Sequence, residues 1–133
     1  MVDTWQPNLT TETLSTEKLV QLAALINGQD SAKEDLKSVS EVDIQLIANS
    51  INTPQESWLS AIEPLATEQI LNLCKLFTLG EMAFSSWTFG SKNPTIYFLR
   101  YLKSQKKVAV EKDFVRWLKR NTDNRYIPFG PAL

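Results

Sequence analysis

The sequence predicts an all-α fold: a single compact domain of five to six helices, closed by an extended C-terminal segment packed on them. Apolar residues recur at spacings of three and four along most of the chain, the period of a helix with one buried face. Helix start signals precede these stripes. Only "KVAV" (residues 107–110) reads as strand, and it has no second strand to pair with. Helices must then pack on helices.

The first helix is expected over residues 16 to 27, with Leu19, Leu22, Ala23 and Ile26 on one face and Gly28 as a left-handed stop. A short helical turn is expected around residues 31 to 36. In "VSEVDI", Ser40 is the cap of the next helix, Asp43 is placed to reach back to the cap amide, and Val39 and Ile44 are placed as a hydrophobic staple. Its stripe is Ile44, Ile47, Ala48 and Ile51. In "NTPQESW", Thr53 reads as cap, Pro54 as first helical residue and Glu56 as the far end of a capping box, with Pro64 ending that helix.

The longest helix is expected from about Thr67 to Trp87, with Ile70, Leu73, Cys74, Phe77, Glu81 and Phe84 on one side and Gly90 closing it. Gly80 in its middle costs about 1 kcal/mol relative to alanine, so a close helix crossing is expected there. Asn93 and Pro94 then open a helix that is apolar nearly all round through Ile96, Tyr97, Phe98, Leu99, Tyr101 and Leu102, and is therefore central. A last helix over residues 111 to 120 turns Phe114, Val115, Trp117 and Leu118 inward and ends at Asn121. Residues 1–14 read as an irregular arm, with Trp5 as an exposed anchor or docked ring. Residues 121–133, "NTDNRYIPFGPAL", read as a strap in which Ile127 and Phe129 are buried and Pro128, Gly130 and Pro131 forbid helix.

A chain of 133 residues with 43% hydrophobic and 22% charged residues has the composition of one globular domain. The single cysteine, Cys74, allows no intrachain disulfide and favours a reducing, cytoplasmic compartment. The first residues carry neither the basic start nor the apolar run of an export signal. The most apolar window, residues 70 to 89, contains Asn72, Lys75 and Glu81, and charges inside a bilayer cost about 3 kcal/mol each. A buried helix is expected there, with no membrane association.

The chain has no histidine, which removes the commonest general base and metal ligand along with Ser/His/Asp and Cys/His catalysis. It has neither a P-loop nor a G-x-G-x-x-G turn, so neither a phosphate cradle nor a cofactor is expected. Asp30, Glu34 and Asp35 form an acidic group, but acids in a first helical turn are what the helix dipole favours; no metal site is assigned. Glu81, on an apolar stripe, is expected either to have a raised pKa or to pair with a cation. Cys74 reads as core. The expected protein is non-catalytic.

The formal charge of −1 conceals a sharp division: residues 1–91 sum to −8 and residues 92–133 to +7. Arg100 and Lys103 share a face of the fifth helix. Lys112, Arg116, Lys119 and Arg120 line the sixth, Lys106 and Lys107 join the two, and Asn124 and Arg125 adjoin them in the tail. These ten residues form the candidate binding surface. A helical domain with opposite charges on two regions suits electrostatically steered docking to a protein partner, or self-association. The second reading is nucleic acid, bound by residues 92–125 with Tyr97, Tyr101 or Trp117 stacking on bases. The overall acidity, with a pI of about 5.5, argues against it.

Overall fold

The computed structural model describes residues 14–28, 31–105 and 112–127. Among these residues the chain is all-helical: α1 (Thr16–Ala23), α2 (Ala32–Asp35) with a 3₁₀ turn at Leu36–Ser38, α3 (Glu41–Ala48), α4 (Gln55–Ile62), α5 (Thr67–Ala83), a 3₁₀ turn at Gly90–Lys92, α6 (Pro94–Gln105) and α7 (Lys112–Arg120). The long helix α5 packs against α1, α2 and α6, and α6 also packs against α4. Among the described residues no helix is long and apolar enough to cross a membrane.

Ser15 starts α1 by accepting the Lys18 N–H at 3.0 Å, and Leu19, Leu22 and Ala23 form its buried face. The helix stops earlier than its apolar pattern suggests. Leu25 and Ile26 bond to carbonyls three residues back, and the Asn27 N–H donates to Asp35 Oδ2 at 2.8 Å instead of to the helix. Gly28 therefore does not act as a left-handed stop; the only glycine with positive φ among the described residues is Gly90, at 56°.

Ser40 caps α3 as expected, accepting the Asp43 N–H at 3.1 Å. The Asp43 carboxylate does not return to the cap amide. It takes Lys18 Nζ at 3.0 Å and ties α3 to α1. At α4 the start lies one residue later than the sequence suggests: Pro54 is the cap, extended at ψ 152°, and its carbonyl accepts the N–H groups of Ser57 and Trp58. Proline's fixed φ suits both states, so ψ alone decides whether it lies in the helix or before it. Thr53 consequently precedes the cap and is buried.

Gln69 accepts the Ala66 N–H at 2.8 Å at the start of α5, which then runs only to Ala83. Phe84 turns extended (φ −111°, ψ 111°), so the chain reverses and lays Trp87 back over its own helix. A Cβ placed on Gly80 would collide with Cζ3 and Cε3 of the Trp87 ring. The glycine thus makes room for an indole rather than for a helix crossing. Trp87 Nε1 donates to the Ile44 carbonyl at 2.9 Å, joining the reversal to α3.

The core is aromatic at its centre. The Phe77 ring has Trp58, Trp87, Phe89 and Phe98 around it at centroid distances of 5.7 to 6.1 Å. Both tryptophans expected in the core are there, essentially without solvent contact. The Trp58 N–H finds no acceptor among the described residues, a cost on the order of 1 to 3 kcal/mol that the surrounding packing offsets. Between α5 and α6, Thr95 donates to the Cys74 carbonyl at 3.1 Å; its single proton is then spent, and Thr78 supplies the proton of the 3.2 Å contact between the two hydroxyls.

Gly80→Ala tests the wedge. Helix propensity alone favours alanine by about 1 kcal/mol, whereas a methyl forced into a ring held by Phe77, Phe84 and Phe89 costs about 1 to 3 kcal/mol. The variant should lose stability in urea denaturation; a gain would show that Trp87 does not rest on Gly80.

Candidate functional site

The C-terminal end of α5, the reversal after it and the tail beyond α7 meet at Glu81. Its carboxylate accepts three N–H groups: the Gly90 backbone amide at 2.7 Å, Asn93 Nδ2 at 2.9 Å and Asn124 Nδ2 at 2.8 Å. Asn93 also caps α6 by accepting the Thr95 N–H at 2.9 Å, and donates to the Phe77 carbonyl at 3.1 Å. Asn124 donates further to the Gly90 carbonyl at 2.8 Å and accepts the Tyr126 N–H at 2.9 Å. The acid that the sequence marks as a candidate for cation pairing is instead held by amide donors. Held by these three donors, it acts as a structural acceptor.

The same geometry separates the two tail residues. Asn124 is half-buried and committed to Glu81 and Gly90. Arg125 is exposed, its guanidinium 5.2 Å from the ring of Tyr126, whose hydroxyl accepts from Nη2 at 3.2 Å. Tyr126 is half-buried and Ile127 buried, so the described part of the strap packs down; Pro128, Phe129, Gly130 and Pro131 lie outside the described residues. The last helix ends at Arg120, and Asn121 follows it with Nδ2 on the Trp117 carbonyl at 2.7 Å.

Of the other cations on the candidate surface, Arg100, Lys103, Arg116, Lys119 and Arg120 are all exposed. Arg116 pairs with Asp113 one turn back at 3.1 Å. Lys106, Lys107 and the side chain of Lys112 lie outside the described residues, as do Trp5 and "KVAV". The rings named for base stacking are only half available: Tyr97, Tyr101 and Trp117 are half-buried, and Trp117 stacks on Phe114 at 6.3 Å and 11°.

One feature near this surface has no clear sequence signal. A groove of about 420 Å³ opens where α2, the end of α5 and the end of α7 come together. Leu36, Leu79, Met82 and Ala83 form its apolar lining, Lys33 and Arg120 contribute cations, and Asn121, Thr122 and Asp123 close it. The Asp123 N–H lies 3.4 Å from Met82 Sδ. In sequence, Met82 is a residue off the apolar stripe of α5 and Lys33 an ordinary surface lysine. Only the fold brings them to Arg120.

The remaining chemical candidates have structural roles. Cys74 is buried, and burial holds its thiol well above the ordinary range, so it is inert. Burial also lowers the Lys75 ammonium; its Nζ donates to Asn72 at 3.2 Å and lies 6.0 Å from the Phe114 ring. In the acidic group Glu34 pairs with Lys37 at 3.0 Å, while Asp35 accepts from Asn27 and from Ser31 Oγ at 3.0 Å. Among the described residues no three His, Cys, Asp or Glu side chains gather as a metal-ligand group; Asp30 lies outside them. No protein-family model, no curated protein and no solved structure matches the chain.

Asn124→Ala should cost about 2 kcal/mol, the scale of a hydrogen bond to a charged group, whereas Arg125→Ala should leave the urea midpoint nearly unchanged; equal effects would dissolve the distinction. Asp35 offers a pH test. Donation from the Asn27 N–H holds its carboxyl below the ordinary value of 3.8, so its stabilisation is present above that pH and is lost as pH falls through the folded value. The stability gap between the wild type and Asp35→Asn should therefore narrow in acid below about pH 4; a gap that stays constant would show the contact does not form.

Proposed function

We propose that the chain is a non-catalytic docking module whose basic C-terminal third engages an acidic surface of a protein partner. The observation that carries this reading is the exposure of Arg100, Lys103, Arg116, Lys119, Arg120 and Arg125 within one short region of the chain. Exposed charges of one sign raise encounter rates with a complementary partner. The other chemically suggestive groups support it by elimination: Cys74 is buried, and Glu81 and Asp35 are occupied by hydrogen bonds within the fold. The half-buried state of Tyr97, Tyr101 and Trp117 weighs against nucleic acid, which needs open ring faces.

The test is capture from the source-cell lysate by the immobilised wild type and by Lys119→Glu/Arg120→Glu. A discrete protein partner should be retained, and the double reversal should weaken capture by about tenfold, the scale on which steering changes association. Retention of a labelled oligonucleotide at about 50 mM salt, with no protein retained, would move the function to nucleic acid. Capture indifferent to the reversal would overturn the reading.

A further inference from the structure

We infer that the groove between α2, α5 and α7 is the anchor pocket of this docking surface, and that it takes a partner peptide carrying a large apolar side chain flanked by carboxylates. The inference rests on the docking reading and specifies the partner's chemistry. Leu36 and Leu79 are buried beneath the opening, while Met82 is 48% exposed and lines it. Methionine's flexible thioether adapts to varied partners, and apolar pockets of this kind seat the residues that dominate binding. At about 420 Å³ the opening is within the range of ligand pockets.

Charge decides what flanks the anchor. Lys33 and Arg120 come from regions of opposite net charge, yet both line this groove, and neither has an ion-pair partner among the described residues. Of the acids nearest Lys33 in sequence, Glu34 is engaged with Lys37 and Asp35 with Asn27 and Ser31, and Asp30 lies outside the described residues. Two cations on one apolar opening fit a peptide with acids on either side of its anchor. Asp123 is the one acid in the lining, so the cations outnumber it two to one.

The probes are two fluorescein-labelled peptides, Glu-Glu-Phe-Leu-Glu-Glu and Glu-Glu-Ser-Ser-Glu-Glu, titrated by anisotropy. The readout at the groove is the methyl resonance of Met82, observed with ¹³C-methyl methionine; the chain has two methionines, so Met82→Leu assigns it. The apolar-anchored peptide should bind about tenfold more tightly than the serine peptide and shift the Met82 methyl, and Arg120→Glu and Lys33→Glu, both at exposed positions, should each weaken binding of both peptides. Equal binding of the two peptides, or binding without a Met82 shift, overturns the groove while leaving basic docking intact. Absence of saturable binding by either peptide up to about 1 mM overturns it as well; lysate capture then decides the docking reading separately. A Met82 resonance that moves with protein concentration and no peptide assigns the groove to a second copy and also overturns the inference.

Discussion

The end of α5, the reversal that follows it and the distant tail meet at the Glu81 carboxylate, and the end of the bundle is organised around it. The requirement is one of hydrogen-bond parity. The Asn93 and Asn124 amides each have their Oδ1 taken by a backbone N–H, of Thr95 and Tyr126, so both must turn Nδ2 toward Glu81. The Gly90 N–H points to the same place. Three converging donors need a group that only accepts, and an ionised carboxylate is the one short acidic side chain chemistry that offers this at neutral pH. A glutamine there would bring donors of its own against them.

Geometry upstream makes this convergence available. Gly90 reaches Glu81 because the chain reverses at Phe84, and the reversal holds because the Trp87 indole finds a berth on Gly80 and an acceptor in the Ile44 carbonyl. Gly90 then takes a positive φ that a side chain would resist, which starts the 3₁₀ turn and delivers Asn93 to cap α6. A small residue, an aromatic wedge and a carboxylate thus act in series, and Asn124 fastens the tail to the last of them. The stability of the strap is therefore set partly by a residue 43 positions earlier in the chain.

Local order was legible in the sequence wherever the cause is local. Ser40 and Asn93 cap as their positions suggest, Ile70, Leu73, Cys74 and Phe77 of α5 and Ile96, Phe98, Leu99 and Leu102 of α6 are buried, and Trp58 and Trp87 lie in the core. Two of the misses share a different cause: a partner beyond the local turn outcompeted the nearby one. Asp43 prefers Lys18 to its own cap amide, and the Asn27 amide prefers Asp35 to its helix. Gly80 announces a close approach, but nothing in a periodicity says that the approaching group is a tryptophan seven residues later in the same chain. In the candidate site, the exposure of Arg100, Lys103, Arg116, Lys119, Arg120 and Arg125 follows from their positions off the apolar stripes, whereas the role of Asn124 and the existence of the groove depend on contacts across the fold.

The division of charge between residues 1–91 and 92–133 has two readings, internal complementarity or display, and the ion pairs bear on them. Lys18 with Asp43 and Lys37 with Glu34 join residues of the acidic region to each other, and Arg116 with Asp113 is a pair within the basic one. Lys92 does cross the boundary, yet what it finds in the other region is the neutral amide of Asn52 at 3.0 Å. None of these contacts joins opposite charges of the two regions. At the groove, Lys33 from the acidic region shares the lining with Arg120 and Asp123 of the basic one. Two cations and one acid around an apolar opening leave it with a net positive charge, the condition under which it would attract something acidic.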